Sequence, residues 1–197
     1  MNIGLSFEKI KNYIRSFIDL SDAELEIFLE AFEHKTIPKK TFLLRAGEVC
    51  RSEVFIVKGC IRTYFIDKKG LETNLTFGTE NWWIGDIASF NDQTPSKMFI
   101  EAIEDCEVLE IHYESKNRLI QAIPKLEHMY LVLIQKHLTA YQERLFGNIA
   151  LSAEERYDIF LDKYPLLPQR ISQHLIASYL GISPEFLSRI RNRKSKK

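Results

Sequence analysis

The spacing of apolar residues changes twice along this chain, from helical to β-type and back to helical, and each change limits what its segment can build. From Ser6 to Phe32 the apolar residues Phe7, Ile10, Ile14 and Phe17, then Leu25, Phe28, Leu29 and Phe32, recur at steps of three and four. That spacing predicts two short amphipathic helices. The second opens with Ser21 and Glu24 as a capping box, the serine oxygen taking an orphan amide proton while the glutamate reaches back. Between Thr36 and about Tyr113 the pattern becomes short β-type runs, VFIV, CIRTYFI, LETNLTF, KMFIEAI and EVLEIHY, punctuated by Gly47, Gly59, Gly70, Gly78 and Pro95. These predict a many-stranded antiparallel sandwich or barrel. Alternation of Leu71, Thr73, Leu75 and Phe77 with Glu72, Asn74 and Thr76 predicts one dry and one wet face, and Asp67-Lys68-Lys69-Gly70 is the turn joining two strands.

From about Lys116 to Gly147 the helical period returns with two apolar faces. One holds Leu126, Tyr130, Leu133, His137 and Ala140; the other holds Leu131, Ile134, Leu138, Tyr141 and Leu145. One face covers the sandwich and the other needs a second partner, either a two-fold mate helix or more of the same chain. The first set is taken as the dimer helix. Another capping box, Ser152 with Glu155, opens a helix through Tyr157, Phe160, Leu161 and Tyr164, which Pro165 stops. A domain boundary is expected near Asn148 to Ser152.

No apolar run approaches the ~20 residues that span a bilayer, and the charged N-terminal stretch does not read as a signal peptide, so a cytoplasmic location is expected. Cys50, Cys60 and Cys106 are odd in number and widely spaced, which fits small buried hydrophobes rather than a disulfide framework or a metal site. The formal charge is zero, yet residues 187–197 hold six Lys/Arg and no acid. A neutral total that conceals a basic end points to a local anion-binding surface, with nucleic acid the first candidate and a solubilising tail the second.

The segment SQHLIASYLGISPEFLSRIR, Ser172 to Arg191, is the most informative. Ser172 caps a helix of about two turns, Gly181 closes it in a left-handed conformation, and Ser183 with Pro184 starts another. Ile176, Ala177, Leu180, Ile182, Leu187 and Ile190 have the spacing of a helix-turn-helix core. At 100° per residue the second helix turns Phe186, Leu187 and Ile190 inward and shares Glu185, Ser188, Arg189, Asn192 and Arg193 on the opposite face. Arg donates in a fork to guanine and Glu accepts from the cytosine amino group, so this face is suited to base edges in a major groove. The alternative is a solvated face with an ion pair worth only ~0.3 kcal/mol.

These motifs, together with LLRAGEVCRSEVFIVKG (Leu43 to Gly59), IGDIASF (Ile84 to Phe90) and CEVLEI (Cys106 to Ile111), resemble the cyclic-AMP receptor protein (Crp-Fnr) family of bacterial transcription regulators over almost the whole chain. The resemblance implies an α+β fold: residues 1–115 form an N-terminal double-stranded β-helix (jelly-roll), a cyclic-nucleotide-binding-like domain with N-terminal helices. Residues 116–150 are then the long dimerisation helix, and 151–197 a C-terminal helix-turn-helix domain lacking the usual β wing. It implies a homodimer on a palindromic operator with half-sites ~34 Å apart, contacted by Ser172, Gln173, Ser183, Pro184, Glu185, Ser188, Arg189, Asn192 and Arg193. Double-stranded DNA, a second copy and RNA polymerase are the implied partners. Arg193, Lys194, Lys196 and Lys197 stand where phosphate contacts would replace the wing.

The implied effector pocket is Trp83, Gly85, Asp86, Ser96, Lys97, Tyr141 and Gln142, and it departs from the family's cyclic-AMP cassette. Gly-Glu is here Gly85-Asp86, and the phosphate-binding Arg-Ser is Ser96-Lys97. Lys97 stands one residue beyond the cation's place, and a one-residue shift along a strand sends a side chain to the other face. Tyr141 and Gln142 replace small hydroxyls. The expectation is an unidentified small-molecule effector other than cyclic AMP, or none, with no required cofactor. Trp82 and Trp83 are either pocket walls or core. A ligand-binding module that acts through protein partners without DNA is the alternative function; an enzyme is third, since the chain has no Gly-rich phosphate loop, His-Glu metal pair or activated nucleophile motif.

Overall fold

The β-type runs form two four-stranded antiparallel sheets in the computed structural model, which describes residues 3–194. The strands are β1 (Glu33–Ile37), β2 (Phe42–Leu44), β3 (Ser52–Lys58), β4 (Ile61–Ile66), β5 (Glu72–Gly78), β6 (Trp83–Ile84), β7 (Phe99–Ala102) and β8 (Cys106–His112). One sheet has the order β1-β8-β3-β6 and the other β2-β7-β4-β5. Register is set by side chains that alternate between two cores. Val54, Ile56 and Val108 face the second sheet, where they meet Leu44, Ile61, Ile100 and Ala102. Their neighbours Phe55, Val57, Leu109 and Ile111 point the other way, into a helical layer. Strands buried on both faces read as continuous apolar runs, which is why VFIV and EVLEI carry so little polar alternation.

The helical layer over that outer face comes from α1 (Ile3–Arg15), α2 (Asp22–Glu30), α4 (Tyr113–Ala122) and the start of α5 (Leu126–Ala150); the short α3 (Ile87–Asp92) lies between β6 and β7. Ile10, Ile14, Phe28, Leu119, Ile123, Leu126, Met129, Tyr130 and Leu133 are all buried there. Both capping boxes form as expected, Ser21 with Glu24 and Ser152 with Glu155. The three cysteines are reduced and buried, and burial pushes the Cys106 thiol up to about 11.

The single helix expected from Lys116 to Ala150 is two helices. Pro124 lacks an amide hydrogen and forces the residue before it out of the α region, and Ile123 accordingly has φ −132° and ψ 78°. The assignment of faces on α5 also has to be corrected. Leu126, Tyr130 and Leu133, expected at a dimer seam, are 0%, 9% and 6% exposed within one chain, because they seal the outer face of the sheet. His137 and Ala140 continue the same face and are half-buried. The other row, Leu131, Ile134, Leu138, Tyr141 and Leu145, is 43–61% exposed. Its steps of three, four, three and four are those of a coiled-coil seam.

The chain divides into two compact units, Met1–Phe65 with Thr76–Leu133, and Ile66–Leu75 with Ile134–Lys197, so the division falls inside α5. The second unit holds the tip of the β4–β5 hairpin, the rest of α5, α6 (Ala153–Lys163), α7 (Leu167–Arg170), α8 (Gln173–Leu180) and α9 (Pro184–Lys194). The hairpin turn forms as expected: Asp67 Oδ1 accepts from the amides of Lys69 and Leu71, and Gly70 takes φ +81°. No helix of the described residues is long and apolar enough to cross a membrane.

Leu126 is 0% exposed in the core shared by the sheet and the helical layer, so Leu126→Ala leaves a cavity. Urea unfolding should show a loss of about 2–5 kcal/mol relative to the wild type. A loss under ~1 kcal/mol would mean that this face of α5 is not the one that closes the core.

Candidate nucleic-acid interface and effector cassette

Local rules build the C-terminal pair of helices. Ser172 has extended backbone angles and its side chain accepts from the Leu175 amide, so it caps α8. Gly181 ends that helix at φ +67°, where a Cβ would meet nothing within 4 Å; glycine is there for its backbone angle alone. The amides of Gly181 and Ile182 return to the Ser178 and Ala177 carbonyls at 3.3 and 3.0 Å. Ser183 Oγ accepts from the Phe186 amide at 3.2 Å, and Pro184 occupies the first helical position of α9, where no amide hydrogen is needed.

Ile176, Ala177, Leu180, Leu187 and Ile190 are buried, at 2% exposure or less, between the two helices and α6. Phe160 of α6 lies 5.5 Å from the Tyr179 ring and supports the pair from below. Ile182 and Phe186, placed inside by the sequence pattern, are only half-buried. Glu185, Ser188, Arg189, Asn192 and Arg193 are all exposed on α9, and Ser172, Gln173 and Ser183 are exposed at the starts of the two helices, with Pro184 half-buried. The expected face is therefore assembled.

Its electrostatics are ordered. The Glu185 carboxyl is held below the usual carboxylate range by its own backbone amide and the Ser183 hydroxyl, helped by the charges of Arg189 and His174. It stays an acceptor at every physiological pH. The Arg189 guanidinium stands 5.2 Å from the Phe186 ring, which restricts its directions without occupying its donors. Arg193 lies 3.9 Å from Glu154, and Lys194 pairs with Asp158, so two basic residues expected to face phosphates are turned partly toward α6. Lys196 and Lys197 lie outside the described residues.

The sequence pattern missed the polar seam that holds the hairpin tip against α8. Arg144 of α5 donates to the carbonyls of Asn74 at 2.6 Å, Tyr179 at 2.9 Å and Leu75, and its guanidinium stacks 4.2 Å over the Tyr179 ring. Asn74 donates its amide to Ser178 Oγ at 3.1 Å and its side chain to the Leu175 carbonyl at 3.3 Å, and Ser178 donates to the Glu72 carbonyl at 2.8 Å. Asn74 is fully buried while Leu71 is 61% exposed, so the dry and wet faces expected for this strand are exchanged at its tip. A buried asparagine is tolerated because its polar groups find partners.

In the first unit, the residues expected in an effector pocket are only partly brought together. Asp86 caps α3, its Oδ1 accepting from the Ser89 amide at 3.3 Å and its Oδ2 from Ser96 Oγ at 2.6 Å. Ser96 in turn accepts from the Met98 amide at 2.9 Å, and both Asp86 and Ser96 are 5% exposed. A Cβ on Gly85 would lie 2.8 Å from Glu53 Cγ, and Glu53 is itself held by Lys116 at 2.5 Å. Gly85 is therefore required by close approach. Both carboxylate oxygens of Asp86 accept hydrogen bonds from neutral donors of the same chain.

Lys97 is exposed on a bend before β7 rather than on a strand, so the strand-register argument for its direction does not apply to it. Trp83 is core rather than pocket wall, packed among Phe32, Phe55 and Tyr130 with ring centroids 5.9, 5.5 and 6.5 Å apart, because β6 turns it toward the helical layer. Tyr141 and Gln142 are exposed on the part of α5 that belongs to the second unit, Tyr141 within the heptad row.

Comparison with known proteins agrees with this architecture. The cyclic nucleotide-binding domain family matches residues 34–122. The fumarate and nitrate reduction regulatory protein of Vibrio cholerae is 31% identical over 192 residues, covering 90% of this chain and 75% of that protein. The cAMP-activated global transcriptional regulator CRP of Escherichia coli is 28% identical over 130 residues, 66% of this chain and 61% of that one. Among solved structures, FixK2 from Bradyrhizobium japonicum superposes with a TM-score of 0.75 at 16% identity, covering 84% of this chain and 85% of its own. The c-di-GMP responsive regulator CLP of Xanthomonas campestris gives a TM-score of 0.71 at 18% identity, covering 89% and 92%. Those two structures bear on the fold alone. The identity to the Vibrio regulator, spread over nine-tenths of the chain, places this protein in the Crp-Fnr family of transcriptional regulators.

Proposed function

We propose that this protein is a homodimeric, cytoplasmic DNA-binding transcription regulator that reads a palindromic operator through α9, and that its sandwich does not take cyclic AMP. The observation that carries the DNA reading is the division of α9: Leu187 and Ile190 are buried, while Glu185, Ser188, Arg189 and Asn192 are exposed together on the other side. Glu185 and Arg189 are one turn apart, so an acceptor and a forked donor address neighbouring base pairs. A binding rather than a catalytic role is supported by the names its relatives carry.

Pairing is supported by the exposed heptad row on α5. Five large side chains at 43–61% exposure on one helix face are a poor surface for an isolated chain and a good one for a parallel mate. A two-fold axis along that seam relates two copies of α9, which is the symmetry a palindrome requires. The loss of cyclic AMP is supported by the Asp86–Ser96 hydrogen bond. A cyclic phosphate needs a fixed cation, and a buried anion without one is strongly disfavoured.

Selection from a random DNA pool should return a palindrome with wild-type protein. Arg189→Ala and Glu185→Ala should each cost about 1–3 kcal/mol in operator affinity and relax one base position, and Leu138→Asp should return no palindrome. A pool that never enriches would favour a module that works through protein partners. Calorimetry with cyclic AMP up to low millimolar should show no saturable heat; clear one-to-one binding would refute the effector half of the proposal.

A further inference from the structure

β5 is the last strand of its sheet, and the backbone groups on its open edge need partners from elsewhere. At the tip of the β4–β5 hairpin α8 supplies them. Ser178 Oγ accepts from the Asn74 amide at 3.1 Å and donates to the Glu72 carbonyl at 2.8 Å, so one serine serves residues 72 and 74 as a neighbouring strand would. The Asn74 side chain adds a bond to the Leu175 carbonyl at 3.3 Å. Leu175, Ser178 and Tyr179, spaced by three and four, lie on a face of α8 roughly opposite the buried Ile176, Ala177 and Leu180. The hairpin therefore holds α8 on the side away from its packing with α9.

Arg144 ties that side of α8 to α5. Its guanidinium donates to the Asn74 carbonyl at 2.6 Å, to the Leu75 carbonyl, and to the Tyr179 carbonyl at 2.9 Å. The last carbonyls of a helix have no partner within it, and a cation there also meets the negative end of the helix dipole. A planar fork of N–H donors serves several acceptors and still stacks on the Tyr179 ring, 4.2 Å away.

The seam matters because the connection from α5 is otherwise short and loosely packed. Leu151 and Ser152 join α5 to α6, and a cleft lined by Ala140, Gly147, Ile159 and Leu180 interrupts the packing between α5 and the helices that follow. A joint fixes where the next helix begins; contacts between the helices fix the direction it takes. Arg144 is also next in sequence to Leu145 of the exposed row. The residue that holds α8 and a residue that faces a mate helix under the proposed pairing are thus consecutive on α5.

We propose that Arg144 and Ser178 are positioning residues that set operator spacing. They hold α8, and α9 with it, at one angle to the paired row of α5, and that angle fixes the separation of half-sites the dimer accepts. This rests on the DNA reading and the pairing proposed above. Base identity belongs to α9 and spacing to the seam, so the two are separable. One base pair more or less turns a half-site by roughly a tenth of a helical turn, which a dimer of fixed geometry does not follow.

The test uses the full chain and a random DNA pool, read separately for half-site sequence and for spacer length. Wild type should return a palindrome with one dominant spacer. Ser178→Ala and Arg144→Gln should each return the same half-site with several spacers at comparable frequency. On the wild-type operator lengthened by one base pair, anisotropy titrations should show a loss of ~10-fold or more for wild type, the scale of one mismatched pair, and under ~3-fold for the variants. Circular dichroism melts confirm that each variant is folded, and should Arg144→Gln fail to fold, Ser178→Ala decides. A wild-type pool without a palindrome would overturn the DNA reading and this proposal together. A wild-type palindrome with folded variants held to the same single spacer would overturn this proposal alone. Variants that lose the half-site itself would do so too, since the seam would then support only the α8–α9 fold.

Discussion

A helix long enough to pass from one compact unit into another has two long faces, and here the sheet takes only one of them. Leu126, Met129, Tyr130 and Leu133, on the part of α5 in the first unit, close the outer face of the β1-β8-β3-β6 sheet. Once those residues are inside, Leu131, Ile134, Leu138, Tyr141 and Leu145 have to be outside, because the period of the helix places them about a quarter to a third of a turn away. Under the proposed pairing, α5 both seals the sandwich and carries the row that meets its mate.

Asp86 and Ser96, expected in an effector pocket, are hydrogen-bonded to each other. The two groups meet at 2.6 Å, and both residues are 5% exposed. The carboxylate serves as the cap of α3, and its neighbour Ser89 ties the same loop to Cys50 and Thr94. A family match over residues 34–122 therefore coexists with a cassette whose polar groups are used internally. Shared fold does not carry ligand specificity with it.

Much of this was legible in the sequence where the determinant is local. Capping boxes at Ser21 and Ser152, the left-handed Gly181, the Asp67–Gly70 turn and the two faces of α9 each depend on residues within a few positions of one another. The break at Pro124 was also local, but the apolar period continued across it and masked it. Which face of α5 the sheet would claim could not be read, since both faces are apolar at helical spacing and only the far side of the contact decides. Arg144 was invisible for the opposite reason. Its carbonyl partners Asn74 and Leu75 are some 70 residues away in sequence, and carbonyls leave no mark on residue type.

Symmetric reading of DNA by two α9 helices is the claim on which function rests, and hydroxyl-radical footprinting of the selected operator tests it most directly. Two protected patches on the same side of the duplex, centred ~10 base pairs apart, are predicted, one for each copy of α9. A single protected patch, or protection running without interruption along the duplex, would contradict it.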